Sequence, residues 1–241
     1  TVAGRRYGLW TAAVLAVANY HVWISRVAFI EALLLLWVLL ALWLLVRSLD
    51  FARTLPWLGA VVGLALITKY SALVLVPTVL VVLVRLRPAF WRDRRCWLAV
   101  GLTLALLSPV LIYNVMLFTT RGHFDATLSS MVGLRHPDLG TDDHPYSRTF
   151  GQAAAWLRWL PQGFDALPLG LAAAGLALAL TRRRTTAAPP DRRAWVLGAY
   201  TVSTVVFLSL SPGRKQYVAL IIPAVALAAA ITAVVDGEHR P

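Results

Sequence analysis

The sequence predicts an all-α fold, a polytopic transmembrane helical bundle, on three observations. Of the 241 residues, 59% are hydrophobic and only 14% charged, whereas soluble domains average about 45–50% apolar and about 25% charged. Apolar runs recur at 8–24, 27–46, 55–68, 71–84, 97–119, 164–180, 194–211 and 217–235, and most approach or exceed the roughly 17–25 residues that a spanning helix needs. The gaps between the runs alternate in charge. Arginine fills GRRY (4–7), RSLDFAR (47–53), RLRPAFWRDRR (85–95), TRRRTTAAPPDRR (181–193) and the tail DGEHRP (236–241). The intervening gaps hold Glu31, Asp125, Asp138, Asp142, Asp143, Asp165 and four of the five histidines.

Each element follows from that alternation. The first run leaves the basic cluster at Arg5 and Arg6; the second returns to Arg47. The stretch 55–84 would be about 45 Å long as one helix, and would put two arginine-rich gaps on opposite sides, against the positive-inside rule. A hairpin of two short helices resolves both problems. Pro56 preorganises the first turn of one arm, and Thr68-Lys69-Tyr70-Ser71 forms the tip. The run 97–119 then crosses outward into an extracytoplasmic loop, 120–163. Its first part is polar and turn-rich. From Phe150 to Leu160, Trp156 and Trp159 align with Leu157 and Leu160 as a short amphipathic helix in the interface, ended by Pro161 and Gly163. Three further runs complete about eight membrane helices in a single domain, 1–241, with both ends inside. Of the 23 Lys and Arg, only Arg26, Lys69, Arg121, Arg135, Arg148, Arg158, Arg214 and Lys215 fall outside in this threading. The prediction is a multi-pass cell-membrane protein.

The charge excludes some classes. A net charge of +12 in a soluble protein suggests nucleic acid, but these arginines flank apolar spans, so no nucleic-acid partner is expected. The lone Cys96 cannot form an internal disulfide and reads as a small apolar filler. No phosphate-binding glycine loop, nucleophile elbow, zinc-protease motif or paired cysteines occur.

Candidate residues are the exceptions to the charge pattern. Glu31 lies about one turn inside the second span, where an acid must be paired or face a wet cavity. It either pairs with Arg26 to close the turn or joins His21, Ser25 and Asn19 in a polar wall. Lys69, with Tyr70, can snorkel to the interface or meet a phosphate as a point charge. Arg214 and Lys215, in the short loop before Tyr217, bind an anion or contact lipid headgroups. His123, Asp125, His136, Asp138, Asp142, Asp143 and His144 carry metal-ligand chemistry without a metal-motif spacing, so no metal or other cofactor is expected. Asn114 reads as a packing amide, and Gly59-xxx-Gly63 as a close helix approach.

Four segments resemble the C-superfold membrane glycosyltransferases, near the family-39 protein O-mannosyltransferases and aminoarabinose transferases. SRVAFIEALLLLWVLLALWLLVR resembles that family's Arg-then-carboxylate helix. GLALITKYSALVLVPTVLVVLV is similar to its TK hairpin, SPVLIYNVMLF to its helix end in Tyr-Asn, and SPGRKQYVALIIPAVALAAA to its closing segment. The resemblance implies transfer of a sugar from a polyprenyl-phosphate donor, on the extracytoplasmic face, to a glycan, lipid or protein acceptor. It implies that Arg26 and Glu31 support the cavity, that Lys69, Arg214, Lys215 and Tyr217 lie by the donor phosphate, and that His21, Tyr70 and Asn114 line the cavity. The family's catalytic acids belong to a first outer loop that precedes the residues present. The general base is therefore expected there, and the chain is read as an N-terminally truncated fragment, inactive alone. The rival readings are a transporter or flippase of lipid-linked substrates, using the intramembrane charges as a path, and a noncatalytic membrane scaffold.

Overall fold

The computed structural model describes residues 5–17, 30–132, 192–210 and 220–225. The described residues are helical, without strands. Helix α1 is Arg5–Val17 and α2 is Ile30–Asp50. A 3₁₀ turn, Ala52–Thr54, leads into α3, Leu55–Thr68, with Pro56 in its first turn. A second 3₁₀ segment, Tyr70–Val74, precedes α4, Leu75–Leu86. After a short 3₁₀ turn at Phe90–Arg92 come α5, Arg94–Arg121, and the short α6, Ala126–Val132. Helix α7 is Arg192–Leu210.

The predicted hairpin is present. At one end Lys69 meets Glu31, at the start of α2. At the other, Arg87 Nη1 donates to the Ser48 carbonyl, near the end of α2, at 3.0 Å. The chain therefore runs one way along α2, back along α3 and away again along α4, so both arginine-rich gaps lie at one end. Each arm of the hairpin has few α-helical residues, but its 3₁₀ turn rises about 2.0 Å per residue against 1.5 Å in the α-helix, bringing each arm to roughly 27–28 Å, close to the hydrocarbon thickness of about 30 Å. Among the described residues two helices, α2 and α5, are long and apolar enough to cross a bilayer unaided.

The arms do not simply pack on each other. Helix α3 lies between α2 and α5, while α4 packs on α7 and touches α2. The core is built from Leu34, Val38, Leu45, Leu58, Ala65, Val82, Val196 and Tyr200, all buried. Tyr200 donates its hydroxyl to the Leu220 carbonyl at 2.7 Å, fixing residues 220–225 to α7. The outer face of α5 exposes Leu104, Ile112, Val115 and Met116. That apolar surface suits lipid, in which packing and interhelical hydrogen bonds, rather than hydrophobic transfer, hold helices together.

The α3–α5 seam shows how. A Cβ at Gly59 would fall 2.2 Å from the Ala99 carbonyl oxygen, and one at Gly63 2.9 Å from the Leu106 Cβ. Thr103 Oγ1 crosses the seam to the Gly59 carbonyl at 2.8 Å. The glycine pair is thus a packing device, as its spacing suggests. Further along α5, Pro109 cannot donate to the Ala105 carbonyl, and Ser108 Oγ supplies that bond at 2.7 Å.

Two expectations shift. The second helix runs past the end of the apolar run 27–46 to Asp50, because Arg47, Ser48 and Asp50 continue it at the charged end. The polar start of the 120–163 loop contains α6, which Asp125 caps. The interfacial helix at 150–160 and the run 164–180 lie outside the described residues.

Candidate functional site

The two ends of the bundle differ in chemistry. At the arginine-rich end the cations are held by aromatic rings and surface carboxylates. Arg47 lies over Trp43 and Phe51, at 5.7 and 5.2 Å from the ring centroids, and Arg85 lies 5.5 Å over Trp195. Arg87 pairs with Asp93 at 3.0 Å, and Arg192 with Asp50 at 3.2 Å. Asp93 also caps α5 by accepting from the Arg95 backbone N–H at 3.0 Å.

The opposite end holds a buried polar cluster. Glu31 occupies the first turn of α2, where the helix dipole favours an anion; Lys69 follows the last turn of α3, where it favours a cation. Because the helices are antiparallel, the two termini are neighbours, and the Lys69 ammonium donates to Glu31 Oε1. The Glu31 side chain is only 3% exposed and that of Lys69 16%. Two buried oxygens, Glu31 Oε2 in the pair itself and Ser71 Oγ two residues along the chain from Lys69, make no hydrogen bond. Buried polar atoms are rarely left so, and at the end of a membrane bundle they mark where a polar group or water belongs.

One residue further, Tyr70 enters a closed ring of hydrogen bonds. Its hydroxyl donates to Asp125 Oδ2 at 2.5 Å and accepts from Asn114 Nδ2 at 2.9 Å. Asn114 Oδ1 accepts from the Asp125 backbone N–H at 2.9 Å. Asp125 Oδ1 takes the Thr127 and Leu128 N–H groups, each at 2.9 Å, capping α6. Partial burial pushes the Asp125 carboxyl up, but the bonds from Tyr70, from the Leu128 and Thr127 backbone and from Asn114 outweigh it and hold it below the ordinary aspartate range. Gly122, in the left-handed region at φ 76°, ends α5, and Phe124 stacks on Phe118 at 4.8 Å between centroids, so the chain turns directly back onto Tyr70.

Glu31, Lys69, Tyr70 and Asn114 are thus at one end of the bundle, as the charge alternation suggests. Glu31 has a partner that the sequence reading did not name, Lys69; its pairing with Arg26 falls outside the described residues. Asn114 does more than pack helices, since it joins Tyr70 to Asp125. Asp125, grouped by sequence only with loop histidines as a weak metal candidate, belongs to this ring. Its legible signal was the capping position before Ala126-Thr-Leu-Ser. Among the described residues no group of three or more His, Cys, Asp or Glu could hold a metal. His21, Arg26, Arg214, Lys215 and Tyr217 lie outside the described residues.

The fold and composition define a membrane protein built of helices with a buried charged pair at one end. The dolichyl-phosphate-mannose-protein mannosyltransferase family matches residues 2–113, from α1 through most of α5. That stretch has the pattern of a membrane glycosyltransferase of mannosyltransferase type, in agreement with the sequence resemblance. It contains Glu31, Lys69 and Tyr70 and stops one residue short of Asn114. No curated protein and no solved structure matches the chain.

Proposed function

We propose that this chain is the membrane part of a multi-pass glycosyltransferase that moves a sugar from a polyprenyl-phosphate donor to an acceptor hydroxyl at the extracytoplasmic face. The observation that carries the reading is the buried Glu31–Lys69 pair, with its unpartnered Glu31 oxygen, inside the matched segment and at the end away from the arginines.

In the reaction, the acceptor oxygen attacks the anomeric carbon and forms the new glycosidic bond. The bond from that carbon to the phosphate oxygen breaks, and its electron pair leaves with the polyprenyl phosphate. The acceptor proton passes to a carboxylate base. The departing group gains negative charge, so a cation beside it stabilises the transition state more than the ground state. Lys69 suits that role. An ammonium can serve several acceptors at once, so pairing with Glu31 and contact with a phosphate are compatible. Glu31 keeps the lysine aimed. Arg214, Lys215 and Tyr217 would join it at the donor phosphate, and Arg26 and His21 the cavity wall.

Asp125 is unsuited to be the base. Both its oxygens are engaged, and its carboxyl is held low, so it is a weak proton acceptor. A carboxylate other than Asp125 takes the acceptor proton.

The test is sugar transfer from a polyprenyl-phosphate donor by the full chain in nanodiscs. Lys69→Ala is expected to lower the rate by about 100-fold, the scale of losing one charge-stabilising donor. Wild-type rates in Lys69→Ala and Glu31→Gln together would overturn the site. Movement of the intact donor across vesicles without transfer would favour a flippase.

A further inference from the structure

The Tyr70–Asn114–Asp125 ring does no chemistry in the mechanism above, yet it joins three parts of the chain with no local reason to meet. Tyr70 is 44 residues from Asn114 and 55 from Asp125. Asn114 is buried at 3% exposure, and the ring uses both ends of its amide, its Nδ2 also reaching the Val110 carbonyl at 3.0 Å. Tyr70 uses its hydroxyl both as donor and as acceptor. Asp125 uses one oxygen for Tyr70 and the other for α6. A ring this fully satisfied fixes its members' orientations.

Its position matters because Tyr70 follows Lys69 directly. Lys69 is the one extended residue between α3 and the 3₁₀ segment. Its N–H bonds back to the Ala65 carbonyl and its own carbonyl accepts from Ala72, both at 3.0 Å. The backbone on either side of the lysine is therefore tied, and the Tyr70 hydroxyl is the side-chain anchor that ties it to α5 and to the start of the loop.

We infer that Tyr70, Asn114 and Asp125 are positioning residues for glycosyl transfer, a clamp that couples the folding of the loop at 125–132 to the placement of the Lys69 ammonium. This rests on the proposed role of Lys69 at the departing phosphate. The ring acts through Lys69, so its effect on catalysis should depend on that lysine, whereas a general loss of folding would not.

The experiment has two arms on the full chain in nanodiscs. In the first, hydrogen exchange of the 125–132 amides is compared between wild type and Tyr70→Phe. The variant keeps the ring but loses the hydroxyl and should exchange faster by about tenfold, the scale of one or two lost hydrogen bonds. In the second, Tyr70→Phe should lower kcat by about tenfold with the donor KM within about twofold, because the interaction strengthens with charge on the leaving phosphate. The same substitution in a Lys69→Ala background should then change kcat little, a non-additive cycle that a structural defect would not give. Asp125→Asn keeps one oxygen for the α6 cap but puts an amide NH2 where an oxygen accepted from Tyr70, so it should behave as Tyr70→Phe, while Asp125→Ala, which also loses the cap, should exchange faster still.

Additive effects of Tyr70→Phe and Lys69→Ala, or unchanged exchange at 125–132, would overturn the clamp while leaving the transferase reading intact. Absence of transfer by the wild type would overturn that reading instead. Exchange in Tyr70→Phe would then still decide whether the ring couples hairpin tip to loop, and its role in catalysis would fall with the reaction.

Discussion

The two ends of the bundle handle charge in opposite ways. At the arginine-rich end, cations are numerous and half exposed: the Arg192 and Asp50 side chains are 62% and 59% exposed, and Arg47 and Arg85 rest on aromatic faces. Such contacts are worth little singly. At the other end, Glu31, Lys69 and Asp125 are withdrawn from solvent and each has a specified partner. The arginine end can therefore change by one residue without consequence, whereas the Glu31–Lys69 end cannot. A membrane protein needs many interchangeable cations to fix orientation, but a site needs a few groups that cannot be exchanged.

The contrast is broken most sharply at Lys69. Lys69→Met should strand the Glu31 carboxylate in a nearly dry position, costing about 3–5 kcal/mol of stability. Adding Glu31→Gln should recover most of that loss, read as the thermal midpoint in nanodiscs, without recovering transfer. Next comes the seam that holds the two ends in register: Gly59→Ala should cost about 1–3 kcal/mol, because the new Cβ meets a backbone carbonyl that cannot turn aside.

A pH scan separates the ends. The Asp125 carboxyl titrates below the ordinary range in the folded chain. Its contribution is therefore complete above the unfolded aspartate value of about 3.9, and is lost as pH falls through the lower folded value. Protection of the 125–132 amides should fade in that acid window, while the arginine contacts to aromatic rings persist because guanidinium stays charged. Asp125→Asn should remove the dependence. The smallest effect is expected at the surface pair, where Asp50→Asn should shift stability by about 0.5 kcal/mol or less in the same thermal assay.

Much of this architecture was legible as spacing. The length of 55–84 and the arginine-rich gaps at both its ends were enough to fold it into a hairpin. The glycine pair announced a close approach because no other residue leaves room for a facing backbone. The partner of Glu31 was not read, since Arg26 is near in sequence and Lys69 is 38 residues away. A ruler would have found it: Glu31 lies 16 residues before Arg47, and Lys69 lies 16 after Arg53, so antiparallel helices from one basic end bring both to the same height. The Tyr70 ring was hidden for a different reason. Asn114 and Asp125 are ordinary polar residues whose meaning depends on Gly122 turning the chain back, and a tight turn sets direction only in three dimensions.

The seam at Gly59 also fixes an angle. Ten residues separate Gly59 from Lys69 along a helix that the Ala99 contact prevents from rotating. Each α-helical residue advances the side-chain direction by about 100°. A single deletion between them would swing Lys69 roughly a quarter of a circle away from Glu31, with hydropathy and charge pattern scarcely changed. Substitutions can drift across most of that segment; its length cannot.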